Sequence, residues 1–281
     1  MKTGTSFFEG RENKKLFYQY WLPEDEEIKA YIIALHGWGT HSDRMKVPAE
    51  YFIQEGYAIY SFDLRGHWRN DGGTPGHIDS MDHLQKDIVL FMDVVKLEAN
   101  EKKIFLMGQS FGGLVCLLYA INHPSLPGVI VSSPMIRLAK NYSFTKKLGK
   151  KIAAPLSKIS PNKTIKMVID QNFLTSDLKI LRSHIADKKK IDFISLRTAT
   201  EMERTMKSVM ENASRLLCPI LILQAGKEKI NDNEATKIFY EGIKSQDKRL
   251  RMYDGFLNEL WNEKGRMQVY RDMWIWLEKH K

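Results

Sequence analysis

The chain has 281 residues and a formal net charge of +9, with 43 Lys and Arg against 34 Asp and Glu. A hydrophobic content of 43% and an aromatic content of 11% exclude a disordered chain and leave room for a large core in one unit. The polar first fifteen residues lack a signal-peptide core and no apolar run is long enough to span a membrane. Cys116 and Cys218 stand far apart in apolar surroundings, so a reduced, cytoplasmic protein is expected.

In chain order, Lys15 to Trp21 alternates and stops before Pro23, which predicts a strand. Lys29 to Leu35 predicts a second, running into the glycine turn His36-Gly37-Trp38-Gly39. Val47 to Gln54 reads as helix, and Tyr57 to Phe62 as a third strand ending at Asp63-Leu64-Arg65-Gly66-His67. Asp71 to Gly76 is loop by composition. Leu84, Ile88, Phe91, Met92 and Val95 then recur at helical spacing. Ile104 to Met107 predicts a strand, and Gly113 to Ile121 a helix apolar all round and hence buried. Between them lies Gly108-Gln109-Ser110-Phe111-Gly112-Gly113. A strand, a tight glycine turn and a helix would lift Ser110 to the apex, which is the context of a nucleophile elbow. Gly128 to Val131 is a further strand, leaving at Ser132-Ser133-Pro134.

From Met135 to Arg215 the alternation stops. The segment has helical periodicity, no convincing strand, and breaks expected at Pro155 and Pro161, so it reads as an inserted helical cap. Between Met135 and Lys190, fourteen Lys or Arg stand against Asp170, Asp177 and Asp187, a local charge of +11 that leaves −2 for the rest. Such a basic surface with interleaved apolar residues suits either solvent or peripheral contact with anionic lipid. No nucleic-acid-binding signature accompanies it. Strands and helices then resume, at Pro219–Gln224, Asn233–Ile243, Arg249–Tyr253 and Glu263–Glu278. The organisation expected is a core over 1–134 and 216–281 interrupted by a cap over 135–215. Strands alternating with helices imply a mostly parallel sheet covered on both faces.

These motifs, in this order and spacing from Phe17 to Leu277, resemble the α/β-hydrolase family. The branch they resemble is that of monoacylglycerol lipases and lysophospholipases. Besides the elbow, the resemblance rests on His36-Gly37-Trp38-Gly39, Asp63 to His67, Gly76-His77-Ile78, Ser132-Ser133-Pro134, Ile220 to Gly226, and Tyr253-Asp254-Gly255. It implies an α/β fold with an eight-stranded sheet, an apolar acyl tunnel beneath the cap, and hydrolysis of a small ester or acyl ligand without metal or other cofactor. Ser110 would be the nucleophile, and the backbone N–H groups of Trp38 and Phe111 the oxyanion hole. Trp38, Trp68, Gln109 and Leu257 are candidate pocket residues.

The triad partners depart from the pattern. The family's acid follows the seventh strand as Gly-x-Asp, where this chain has Gly226-Lys227-Glu228, with Asp232 a second carboxylate nearby. The family's base follows the eighth strand as Gly-x-x-His-Glu, where this chain has Gly255-Phe256-Leu257-Asn258-Glu259. An amide cannot accept a proton near neutral pH as imidazole does, so ordinary triad hydrolysis should be strongly impaired. His184 in the cap is one candidate to reach down as a replacement base. Trp68-Arg69-Asn70 and Lys188-Lys189-Lys190 are further departures near the expected site. The alternatives are a protein that binds an acyl or aromatic ligand without turning it over, and a scaffold adapted to other chemistry through Ser110, Glu228 or Glu259.

Overall fold

The computed structural model describes residues 1–24, 27–70, 72–140 and 150–281, the side chains of 150–154 apart. Asp71 of the expected loop and residues 141–149 of the expected cap lie outside the described residues. An eight-stranded sheet runs through the molecule. Its strands are β1 (Lys2–Glu9), β2 (Lys15–Leu22), β3 (Ala30–Leu35), β4 (Tyr57–Phe62), β5 (Ile104–Gln109), β6 (Val129–Ser132), β9 (Ile220–Ala225) and β10 (Lys248–Tyr253). They lie in the order β1-β2-β4-β3-β5-β6-β9-β10. The first two pairings are antiparallel and all others parallel.

Burial follows from that pairing. Every residue of β3, β4, β5, β6 and β9 is buried, as the near-continuous Ile, Leu, Val and Ala runs require of a sheet covered on both faces. Helices α2 (Met81–Ala99), α3 (Phe111–Asn122) and α7 (Asn233–Gly242) pack one face through Phe91, Leu114 and Phe239. Helices α1 (Lys46–Phe52) and α8 (Arg266–His280) pack the other through Phe52 and Trp276. Cys116 and Cys218 are buried and unpaired. Among the described residues no helix is long and apolar enough to cross a membrane.

Two elements differ from expectation. Strand β1 was not expected, because its one buried residue is Phe8, which packs against Phe62 and Phe91 while its neighbours face solvent. Such a strand has no apolar alternation to read. The cap holds helices α4 (Lys150–Ile159), α5 (Leu178–Ala186) and α6 (Leu196–Glu211), but also an antiparallel pair, β7 (Thr164–Lys166) and β8 (Phe193–Ser195). Three-residue strands are too short to show a period. Pro155 lies inside α4 and does not end it. Ala199, Met202 and Val209 of α6 join the same apolar cluster as α2 and α3, so the cap is packed into the core rather than appended to it.

The chain runs from β3 to β4 on one side, then crosses back to β5 on the other. The turns after β3 and β5 therefore diverge at the carboxyl edge of the sheet, the place where open α/β sheets leave a crevice.

Candidate active site

Ser110 stands alone between β5 and α3 with φ 51° and ψ −112°, a backbone conformation that costs a non-glycine residue about 1–3 kcal/mol. The surroundings hold it there. Its N–H donates to the carbonyl of Ser132 at 2.9 Å, and its carbonyl accepts from Leu114 and Met135, both at 3.0 Å. The flanking glycines are required by close approach. A Cβ at Gly108 would lie 2.4 Å from the Gly112 carbonyl oxygen, and one at Gly112 2.4 Å from that of Leu35. Strand, elbow and helix can pack this tightly only without those side chains.

The turn after β3 lies alongside. A Cβ at Gly37 would sit 3.6 Å from the Ser110 Cβ. Trp38 is buried and packs edge-on against Phe111 at 5.3 Å and His67 at 4.7 Å. Phe111 is the first residue of α3, so its N–H is one that a helix leaves without an intrahelical partner. His36 and His67 support this turn. Burial pushes both imidazoles down to about 3, which keeps them neutral. The His36 Nε2 accepts from the Leu64 N–H at 2.9 Å, so its Nδ1 donates to the Gly37 carbonyl at 2.8 Å.

Opposite stand Glu228, after β9, and Asn258, after β10. The Asn258 Nδ2 donates to Glu228 Oε2 at 2.8 Å. A carboxylate can only accept, so this bond also fixes the amide: nitrogen toward Glu228, with Oδ1 left as acceptor. Glu228 Oε1 accepts from the N–H groups of Lys229, Ile230 and Asn231 at 2.9, 2.8 and 3.2 Å. Burial raises the Glu228 carboxyl above its ordinary value, and these backbone bonds and Asn258 pull against the rise. Asp232, the other nearby carboxylate, caps α7 through the Glu234 and Ala235 N–H groups and pairs with Arg137 at 2.9 Å. It makes no bond to Asn258 in its place.

Ser110, Gln109, Trp38 and Asn258 line one cavity of about 40 Å³, together with Glu259 and the cap residues Met167, Leu174 and Ile191. The cavity is partly open to solvent. Residues of the segment expected to form the cap thus line the site directly. Three expectations are corrected here. Trp68 does not line the cavity; it is partly exposed, and Lys189 lies 5.6 Å from its ring centroid. Leu257 is also outside, its N–H bound to Glu263 Oε1 at 3.1 Å. His184 does come down from α5, but onto Glu259, with Nε2 3.5 Å from Oε2, and it lines a neighbouring groove. None of the eight histidines lines the cavity over Ser110. Glu259 does line it. Burial raises its carboxyl, against the charge of Arg44 and a 2.7 Å bond from Asn262. The cap residues in the lining had no signal in the sequence, because their contacts cross between distant segments. Among the described residues no group of His, Cys, Asp and Glu could hold a metal ion.

Residues 26–265 match the family described as "Serine aminopeptidase, S33". The chain belongs to this family. It is 28% identical over 274 residues to an uncharacterized abhydrolase domain-containing protein of Dictyostelium discoideum; that match takes in 95% of the chain but 28% of the relative's length. It is 23% identical over 278 residues to a monoacylglycerol lipase of Mycolicibacterium smegmatis, covering 97% of the chain and 96% of that enzyme. Among solved structures, a soluble variant of the monoglyceride lipase of Saccharomyces cerevisiae, in complex with a substrate analog, superposes with a TM-score of 0.86 at 24% identity, covering 98% of this chain and 94% of that one. The fold is the α/β-hydrolase fold, and the family is one of serine hydrolases.

Proposed function

We propose that the chain is a carboxylic ester hydrolase that works through a Ser110 acyl-enzyme, slowed because Asn258 stands where the general base belongs. The observation that carries this reading is the 2.8 Å bond from Asn258 to Glu228 at the cavity over Ser110. It has the form of the base-to-acid bond of a triad, with an amide in place of the imidazole. Asn258 Oδ1 can accept a hydrogen bond from a serine hydroxyl but cannot take up its proton, so Ser110 attacks at its intrinsic rate. Trp38 and Phe111 offer N–H groups to the oxyanion, and these do not depend on side-chain type. The acyl substrate is read from relatives such as the mycobacterial monoacylglycerol lipase and from the apolar cap residues in the lining.

The binding alternative loses one of its motives, since Trp68 is not among the residues lining the cavity and lies beside Lys189. The test is Asn258→His, assayed with p-nitrophenyl butyrate. A positioned general base typically contributes about 10²–10⁴-fold, and a gain of that size in kcat/KM is expected, abolished by adding Ser110→Ala. A folded Asn258→His protein with no gain would refute the assignment.

A further inference from the structure

Two departures from the family pattern, Trp68-Arg69-Asn70 and Lys188-Lys189-Lys190, meet each other at the seam between cap and core. On the core side, the turn after β3 presents His41, Asp43 and Arg44, and the turn after β4 presents Trp68 and Arg69. On the cap side, the strap between α5 and β8 presents Asp187 and Lys189. Asp187 Oδ2 accepts from His41 Nε2 and from Arg44 Nη2, both at 2.9 Å. Lys189 Nζ donates to Asp43 Oδ2 at 2.7 Å, and its ammonium lies against the Trp68 ring. Asp43 is held from the core side by Arg69 at 2.6 Å, by Gln19 at 2.7 Å and by His41 Nδ1 at 3.4 Å. Arg69 is itself fixed by Asp63 at 3.1 Å and by the face of Phe17, 3.7 Å from its ring centroid.

Two residues further on, the same strap touches the oxyanion turn. The Ile191 N–H donates to the Gly39 carbonyl at 2.9 Å, and a Cβ at Gly39 would lie 2.7 Å from the Ile191 carbonyl oxygen. Lys190, Ile191 and Asp192 close one side of the 40 Å³ cavity over Ser110. The cap-side partners of the ion pairs and this side of the cavity are therefore one short piece of chain.

We propose that Asp187 and Lys189 form an electrostatic latch, gripping His41, Arg44 and Asp43, that holds the strap against the turn after β3 and keeps it along one side of the Ser110 cavity until these pairs part. The inference rests on the seam and the cavity, and does not depend on what Ser110 catalyses. The two halves of the latch differ. His41, Arg44 and Asp187 are mostly buried, with side chains 4%, 13% and 12% exposed, so losing one partner leaves a desolvated charge behind. Lys189 and Asp43 are 41% and 32% exposed, and their pair is open to screening by salt.

Hydrogen exchange of the full chain, read by mass spectrometry, tests the latch. Asp187→Asn keeps the shape of the side chain and removes its charge. Exchange over 187–192 is expected to rise about ten-fold in this variant, with α3 and β5 unchanged. Lys189→Ala should give a smaller rise, and 1 M sodium chloride should reproduce that smaller rise in the unaltered protein. Unchanged exchange over 187–192 in Asp187→Asn overturns the proposal. So does an equal rise throughout the sheet, which would make Asp187 a residue of general stability. Should Asp187→Asn not fold, Lys189→Ala and the salt series decide alone: no rise in either overturns the latch.

Discussion

The loops on the two sides of the Ser110 cavity have met substitution differently. On one side the elbow and the turn after β3 depend on backbone: a forced φ at Ser110, two glycines pressed against carbonyls, and the N–H groups of Trp38 and Phe111 that we propose as oxyanion donors. On the other, the loops after β9 and β10 act through side chains alone. There Glu228 and Asn258 keep the hydrogen bond but not the chemistry of the pair expected. A role carried by the main chain survives changes of residue type, because geometry enforces it. A role carried by one titrating atom is lost when that atom changes, while burial and hydrogen bonding around it stay satisfied.

The largest effect that sharpens this contrast lies on the side-chain half. In an Asn258→His protein, adding Glu228→Gln should remove nearly all of the regained ester hydrolysis; the comparable change of a protease triad aspartate lowers turnover by roughly 10⁴-fold. Steady-state kinetics of the double variant checks this, and an unaltered rate would hand the acid role to another group. On the backbone half, Gly112→Ala should cost about 3 kcal/mol in a denaturant melt, since its methyl would press on the Leu35 carbonyl oxygen in an interior that cannot yield. A cost below about 1 kcal/mol would show that the elbow relaxes more readily than its geometry suggests.

The backbone half was also the legible half. The spacing of Gly108, Ser110 and Gly112 between two apolar runs predicted strand, turn and helix, because only a glycine-flanked turn fits so close to neighbouring strands. The register of Glu228 and Asn258 could be read from Gly226 and Gly255, although the bond between them could not. What the sequence could not show are contacts made across it. Lys189 against Trp68, and Ile191 against Gly39, join segments with no local pattern in common. Lys188 to Lys190 stood out as a departure in the sequence, but nothing in it showed which core residues this strap would meet. Strand β1 was hidden by its exposure.

Smaller effects separate the two carboxylates after β9. Asp232→Ala should cost about 1 kcal/mol of stability, as the loss of a helix N-cap does, and leave the activity of an Asn258→His protein unchanged. A large loss of activity would contradict the assignment of Glu228. The smallest effect is a tilt with pH. Burial holds the Glu228 carboxyl above its ordinary 4.5, so the folded state binds its proton more readily than the unfolded chain. Its contribution to stability is full below pH 4.5 and is lost as pH rises through the raised value. The Tm of the unaltered protein, relative to Glu228→Gln, should therefore fall as pH is raised from 4 to 7. A relative Tm that rises over that interval would mean that the hydrogen bonds outweigh burial.

On the function proposed above, the frame around Ser110 is complete and the base alone is missing. Covalent labelling by a fluorophosphonate probe measures this directly, because it needs the serine, the oxyanion donors and a base but no deacylation. The rate of Ser110 labelling, followed by mass spectrometry, should rise by about 10²–10⁴-fold from the unaltered protein to Asn258→His. Equal rates in the two folded proteins, fast or slow, would contradict it.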